Sequence, residues 1–350
     1  MKKDKIPITL LTGFLGAGKT TLLNSVLSDD SFGRVAVIVN EFGETGLDHQ
    51  LIEKSSDDIV LMQSGCLCCS IRGDLPKTIE KLIRKNLRNE INFERIVIET
   101  TGLADPGPIM QTLLLDDILA ESTRLDGVVT VADAVNGADT LDSQFESVSQ
   151  AALADLIILS KTDIASPQQI LNFKNRLEKI NPTSNIIHAI NGKGVREKIW
   201  GLNAIRQKST YKDVLSWTTG SEPKLSELNN LSGLTPAKTI SKPAFNHGSK
   251  IETCSIILDT PISNTTFDNW LDTLIGAKGS DILRIKGIVF LENIDDPFVF
   301  HGVQHVFDPP VQLKKWPKKD RQSRIVVIAR NISKFQLQRS LDMLRIQADN

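Results

Sequence analysis

One stretch limits the possible folds of this chain more than any other: Gly13-Phe-Leu-Gly-Ala-Gly18-Lys19-Thr20. It follows an apolar run of strand composition at residues 6–12 and opens residues 19–28, whose apolar spacing is helical. A G-x-x-x-x-G-K-[ST] sequence between a strand and a helix is a phosphate-binding loop. Its glycines let the backbone wrap phosphates, and the N–H groups at the helix start point at the phosphate oxygens. In this reading Gly13, Gly16, Ala17, Gly18 and Thr21 surround the nucleotide. Lys19 neutralises the β- and γ-phosphates, and the Thr20 hydroxyl is a ligand of Mg²⁺.

The surrounding pattern agrees with such a loop. Residues 6–12, 34–40, 58–62, 95–99, 127–132, 156–160 and 185–190 read as strands, several of them nearly continuous Val, Ile and Leu. Residues 19–28, 75–87, 107–115 and 167–180 read as helices between them. Continuous apolar strands alternating with helices indicate an α/β fold, a doubly wound and mostly parallel sheet covered on both faces. At roughly 150 residues per domain, a length of 350 residues leaves room for a second unit. The expected division is a nucleotide-binding domain at 1–190, a linker at 191–249 rich in Gly, Ser, Thr, Asn, Lys and Pro, and a smaller α+β domain at 250–350. The linker reads as having at most short helices near 196–205 and 224–228, with Trp200 and Trp217 available to pack on a neighbour. In the last unit residues 250–258, 282–291, 298–307 and 324–330 read as strands, and 266–274 and 334–346 as helices.

Composition excludes several classes. Lys plus Arg number 41 against 42 Asp plus Glu, a net charge of −1, which argues against a nucleic-acid partner bound through its phosphates. No stretch approaches the ~18 apolar residues of a membrane span, and the N-terminus fits no signal peptide. Four cysteines, three of them within residues 66–69, cannot form a disulfide framework. They point to metal or thiol chemistry in a reducing compartment, so the expected location is the cytoplasm.

Ser160-Lys161-Thr162-Asp163 follows an apolar strand and has the shape of the [N/T/S]-K-x-D guanine-reading motif. A carboxylate at Asp163 can accept from both N1–H and the exocyclic amine of guanine, a donor pair that adenine lacks. Lys161 lies along the base plane in this reading, and Ser160 replaces the commoner Asn. The expected nucleotide is GTP. Glu99 ends a buried strand and Gly102 follows, positions suited to a second carboxylate near Mg²⁺ or its water and to a backbone close to the γ-phosphate. Residues 40–48, with three acids and two glycines, have the composition of a switch loop ordered by the nucleotide.

Gly65-Cys66-Leu67-Cys68-Cys69 is a candidate metal site. In extended backbone Cys66 and Cys68 point the same way, and a turn after Cys68 could bring in Cys69. Thiolates favour Zn²⁺, Cu(I) or Co²⁺ over Mg²⁺. Three thiols leave a tetrahedral ion one ligand short, which Glu41, Glu44, His49, water or a partner could supply. A Cys66–Cys69 redox pair and a permanent structural zinc stay open beside a transferable metal. Cys254 reads as core packing. The histidines (His49, His188, His247, His301, His305) read as structural or surface residues, with His301 and His305 on one strand.

Taken together, the chain resembles the CobW-like GTPases, a metallochaperone family of P-loop proteins. GFLGAGKTTLL at 13–23, NEFGETGLD at 40–48, GCLCCSIRGDL at 65–75, ETTGLADP at 99–106 and SKTD at 160–163 match its motifs in order. LRIKGIVFLE at 283–292, GVQHVFDPP at 302–310 and RIVVIAR at 324–330 resemble its second domain. The resemblance implies GTP hydrolysis with catalytic roles for Lys19, Thr20 and Glu99. It also implies Zn²⁺ or Co²⁺ held by Cys66, Cys68 and Cys69 and delivered to a client apo-metalloprotein. The linker lacks the histidine-rich stretch that many members carry. Client identity and oligomeric state are not written in the sequence.

Overall fold

Runs of Val, Ile and Leu that are apolar at every position need cover on both sides, and here they form the middle of a sheet. The computed structural model describes residues 5–28, 34–40, 59–61, 67–71, 74–203, 211–219 and 251–345, except 315 and 318. Among these, the first sheet contains β1 (Ile6–Thr12), β2 (Val35–Asn40), β3 (Ile59–Leu61), β4 (Leu67–Ile71), β5 (Arg95–Thr100), β6 (Thr123–Asp133), β7 (Leu156–Ser160) and β8 (Asn185–His188). Their order is β3-β4-β2-β5-β1-β6-β7-β8. The pairings are parallel except β3 with β4, which is antiparallel.

Alternate residues of these strands supply opposite faces. Ile8, Leu10, Ile38, Ile96 and Ile98 pack under α2 (Leu75–Leu87) and α3 (Gly107–Leu115). Leu11, Val37, Val97, Val129 and Val131 pack under α1 (Lys19–Leu27). Between α3 and β6 lies α4 (Asp117–Ser122), and between β6 and β7 lie α5 (Gly137–Ser143) and α6 (Phe145–Leu153), none of which has a clear apolar stripe in the sequence. Helix α7 (Pro167–Ile180) begins on a capping box, Ser166 with Gln169, and has proline in its first turn. The segment read as linker from 191 starts as part of this layer: Val195 and Ile199 are buried in it, and Asp126 accepts from Gly201 N and holds Asn203 through its carbonyl. Of the short helix read near 196–205, the described residues show a 3-10 turn at Arg196–Lys198; residues 204–205 lie outside them. The helix expected at 224–228 lies outside the described residues.

The second domain is antiparallel: β9 (Ile251–Leu258), β10 (Ile282–Val289), β11 (Phe298–Val303), β12 (Val306–Phe307) and β14 (Ser323–Arg330) in the order β12-β11-β10-β14-β9, with β13 (Val311–Gln312) beside β11. One face packs on α9 (Asn264–Lys278) and α10 (Lys334–Asp342). The other receives α8 (Tyr211–Thr219), a linker helix anchored by buried Val214 and Trp217. Cys254 is buried in the first of these cores, as its strand position implied, and burial pushes its thiol pKa up. The single strand expected over 298–307 is a hairpin, with Gln304 in the left-handed conformation at its turn. His301 and His305 therefore do not share a strand: His301 is buried on β11 beside Asp308, and His305 lies in the turn. Among the described residues no helix is long and apolar enough to cross a membrane.

Candidate functional site

The phosphate loop leaves the C-terminal end of β1 at the middle of the sheet. At Gly13, with φ of 138°, a Cβ would sit 2.2 Å from the Val131 carbonyl oxygen, so only glycine lets the loop lie against β6. Gly16 and Gly18 also have positive φ, and Gly18 immediately precedes α1. The Lys19 ammonium curls over the loop and donates to Gly13 O at 2.8 Å and Phe14 O at 3.2 Å. Burial lowers its pKa, and the charge of Glu99 opposes that shift. Thr20, exposed at the start of α1, donates through Oγ1 to Glu99 Oε1 at 3.1 Å, while Glu99 itself is buried at the end of β5. Beside it, the Thr100 hydroxyl donates to Thr12 Oγ1 at 2.8 Å. At Gly102 a Cβ would come within 2.4 Å of Leu15 N, so this glycine lets the two loops touch backbone to backbone.

The end of β7 meets the same loop from the other side. Ser160 Oγ donates to Ala17 O at 2.6 Å, tying the Lys161–Asp163 turn to the phosphate loop. Lys161, at φ of 56°, forms an ion pair with Asp133 Oδ2 at 2.7 Å. Burial pushes the Asp133 pKa up, but hydrogen bonds from Lys161, Asn136 and the backbone N–H groups of Val135 and Asn136 outweigh it, and the carboxyl stays below the usual range. Asp163 is exposed two residues on, and Thr21 is exposed on α1. A cavity of about 200 Å³ lies under the loop, lined in part by Phe14, Thr130, Asp133, Gln150, Lys161 and Phe173. The structure thus brings Gly13–Thr20, Glu99, Gly102 and Ser160–Lys161 together around one loop.

Sequence reasoning did not single out Asp133 or Gln150. Asp133 carried a readable signal, an acid at the C-terminal end of a central strand, where open α/β sheets place their ligands. Gln150 carried none.

The thiol motif is only partly within the described residues. Cys66 lies outside them, as do Glu41, Glu44 and His49. Cys68 and Cys69 are on β4, with Cys68 paired to Val37 and Cys69 to Ile38 of β2. Backbone pairing with β2 carries the strand through Cys68 and Cys69 to Ile71, without the turn that could have brought Cys69 to the side of Cys66 and Cys68. With β2 and β5 intervening in the sheet, β4 runs about 14 Å from β1 at ordinary strand spacing. Among the described residues no group of three or more His, Cys, Asp or Glu side chains could hold a metal ion.

The profile described as CobW/HypB/UreG, nucleotide-binding domain, matches residues 7–188. The cobalamin synthesis protein cobW C-terminal domain matches residues 251–345. The chain is 30% identical over 348 residues to the zinc chaperone YjiA of Escherichia coli (strain K12), covering 98% of this chain and 99% of that protein. It is 34% identical over 356 residues to zinc-regulated GTPase metalloprotein activator 1 of Schizosaccharomyces pombe, covering 95% of this chain and 84% of that one. The crystal structure of Zn(II)-bound YjiA GTPase from E. coli matches with a TM-score of 0.69 at 28% identity, covering 98% of this chain and 100% of that one.

Proposed function

The chain belongs to the CobW/HypB/UreG nucleotide-binding family, and from that premise we infer that it is a GTP-binding and GTP-hydrolysing metallochaperone. Its cargo in this reading is zinc, held at Cys66, Cys68 and Cys69 and passed to a client apo-metalloprotein; relatives named a zinc chaperone and a zinc-regulated GTPase metalloprotein activator support the choice of metal. The observation that carries the nucleotide half is the Ser160 hydroxyl bonded to Ala17 O, which joins a guanine-reading turn to a phosphate loop.

Each residue then has a role. Lys19 faces the β- and γ-phosphates, Gly102 lies at the γ-phosphate, and Lys161 and Asp163 read the base. Mg²⁺ fits the oxygen pair at Thr20 Oγ1 and Glu99 Oε1, 3.1 Å apart and both hard donors. When bound, it neutralises phosphate charge that builds up as the bond to the γ-phosphate breaks. Nucleotide state is coupled to cargo through the switch sequence at 40–48, so GTP and zinc tighten one another by the same factor.

A zinc titration against a chromophoric chelator tests this reading, with a Mg²⁺–GTP analogue, with Mg²⁺–GDP and without nucleotide. The expected result is zinc affinity at least about tenfold higher with the GTP analogue, or ~1.4 kcal/mol of coupling. Joint Cys66→Ser and Cys68→Ser substitution abolishes tight zinc binding and leaves GTP binding intact. Equal affinity in all three states, or loss of nucleotide binding in the cysteine variant, makes the zinc structural and removes the chaperone reading.

A further inference from the structure

Helix α6 has an unusual set of attachments for nine residues. Three of its polar side chains, Ser147, Ser149 and Gln150, are buried, the last two at 0% and 1% exposed. Gln150 Nε2 donates to Gly102 O at 3.1 Å and Ala104 O at 3.0 Å, and Ser149 Oγ donates to Asp105 Oδ1 at 3.0 Å. Two consecutive α6 side chains thus hold the loop that runs from β5 into α3. The other amide atom, Gln150 Oε1, has no hydrogen-bond partner among the described residues, and Gln150 lines the cavity under the phosphate loop. Both donors of the amide are therefore committed to the loop, and two carbonyl acceptors fix which end of the amide faces it.

The C-terminal end of α6 is closed from two directions. Asn181 Nδ2 reaches the carbonyls of Ala151, Ala152 and Ala154 at 2.9, 3.0 and 2.8 Å. The remaining carbonyl, Leu153 O, accepts from Arg284 Nη1 of the second domain. A guanidinium at this end satisfies an orphan carbonyl and complements the negative end of the helix dipole. The same Arg284 binds Asp155 at 2.5 Å, just beyond the helix. Ala152 packs with Leu283 and Ile328 of the second domain. Gln150, which grips the Gly102 loop, and Leu153, which the second domain grips, thus lie within one helical turn of ~3.6 residues.

We propose that Gln150 is a positioning residue for GTP hydrolysis, and that through it α6 couples the Gly102–Asp105 loop to β10 of the second domain. The inference rests on the reading that Gly102 lies at the γ-phosphate. A loop that shifts when the γ-phosphate leaves moves the two carbonyls that Gln150 holds. Because α6 is short, capped and buried, it transmits the shift as a body to Leu153, Asp155 and Arg284. The second domain is then not a passive appendage of the nucleotide site.

The test uses the full chain, with Gln150→Met and Ser149→Ala. Methionine keeps the side-chain volume and removes both donors, so a merely space-filling role survives it. Three quantities are measured: affinity for GDP and a GTP analogue, kcat and KM for GTP, and amide hydrogen exchange of residues 282–289 with each nucleotide. In the unsubstituted protein, exchange at 282–289 differs between the two nucleotides. In Gln150→Met, GDP affinity stays within about twofold, kcat falls roughly tenfold with KM little changed, and the exchange difference disappears. Ser149→Ala, the milder change, shifts kcat and exchange the same way by roughly threefold and serves if the methionine variant does not fold. Unchanged kcat and an intact exchange difference in the variants overturn the inference, as does an unsubstituted protein whose β10 ignores the nucleotide. If the unsubstituted protein binds neither nucleotide, the site reading itself fails, a result distinct from these.

Discussion

At the scale of single residues, the continuous motif at 13–20 is joined by residues far along the chain, Glu99, Gly102 and Ser160. Lys19 has its ammonium within reach of two loop carbonyls and of the Glu99 field. Glu99 is the residue whose role is most open to test, because a buried acid at a strand end could equally be a turn-stabilising group. It accepts from Thr20 Oγ1 on α1, across 79 positions of sequence, which ties it to the phosphate loop. Glu99→Gln keeps the shape and an acceptor oxygen and removes the charge. Phosphate release by this variant should slow by roughly a hundredfold while GDP affinity stays within about threefold. A stopped assay of released phosphate beside a fluorescent-nucleotide titration checks both. A variant that melts early yet hydrolyses normally would assign Glu99 to the turn instead.

At the scale of elements, legibility followed the distance over which each element is stabilised. Strands β1, β5 and β7 and helices α2 and α7 carry their own apolar pattern or caps, and the sequence reading located them to within a residue or two. The phosphate loop was legible for the same reason, being contiguous and set between two such elements. Helix α6 was missed because its buried positions include Ser147, Ser149 and Gln150, which give no apolar stripe. Its C-terminal carbonyls are satisfied by Asn181 and Arg284, 30 and 131 residues away from their respective acceptors at Ala151 and Leu153. Asn181 is 0% exposed, so its three bonds have no solvent substitute. Asn181→Ala leaves buried carbonyls unpaired and should cost about 3 kcal/mol, read as a lower denaturation midpoint. Asn181→Asp should cost more, since it removes the donors and sets a negative charge at the negative end of a helix. If both variants denature with the unsubstituted protein, α6 does not depend on this cap.

At the scale of the whole molecule, the two sheets are joined by charge that no local pattern reveals. LRIKGIVFLE carries two cations, Arg284 and Lys286, on β10, a strand buried at every position. The reason is Asp155, which accepts from Arg284 at 2.5 Å and lies 3.0 Å from Lys286 Nζ, while Trp217 Nε1 donates to it at 3.2 Å and Val128 N at 2.9 Å. Burial alone would raise the Asp155 pKa, but the Arg284 and Lys286 charges and the Val128 N–H overcome it and hold the carboxyl well below the usual range. Two cations share this one carboxylate. Burial, with the Arg284 charge adding to it, pulls Lys286 down to about 8, and Asp155 only partly offsets the shift. The sign of the pH dependence follows. Between about 8 and 10.5 the unfolded chain holds a proton on Lys286 that the folded chain does not. Folding is therefore favoured progressively as pH rises through that window, and the charged lysine is a burden below it. Lys286→Met should flatten this part of the stability curve and leave stability at about pH 7 equal or higher, because a hydrophobic isostere removes the burial cost. Asp155→Asn strands two cations in the interface and should cost about 3–5 kcal/mol. Denaturant unfolding of all three proteins at about pH 7 and about pH 10 checks the set, with the difference between Lys286→Met and the unsubstituted protein cancelling the titration of surface groups. A pH slope in Lys286→Met equal to that of the unsubstituted protein would mean that the lysine stays charged in the fold, and that the interface holds both cations across the whole range.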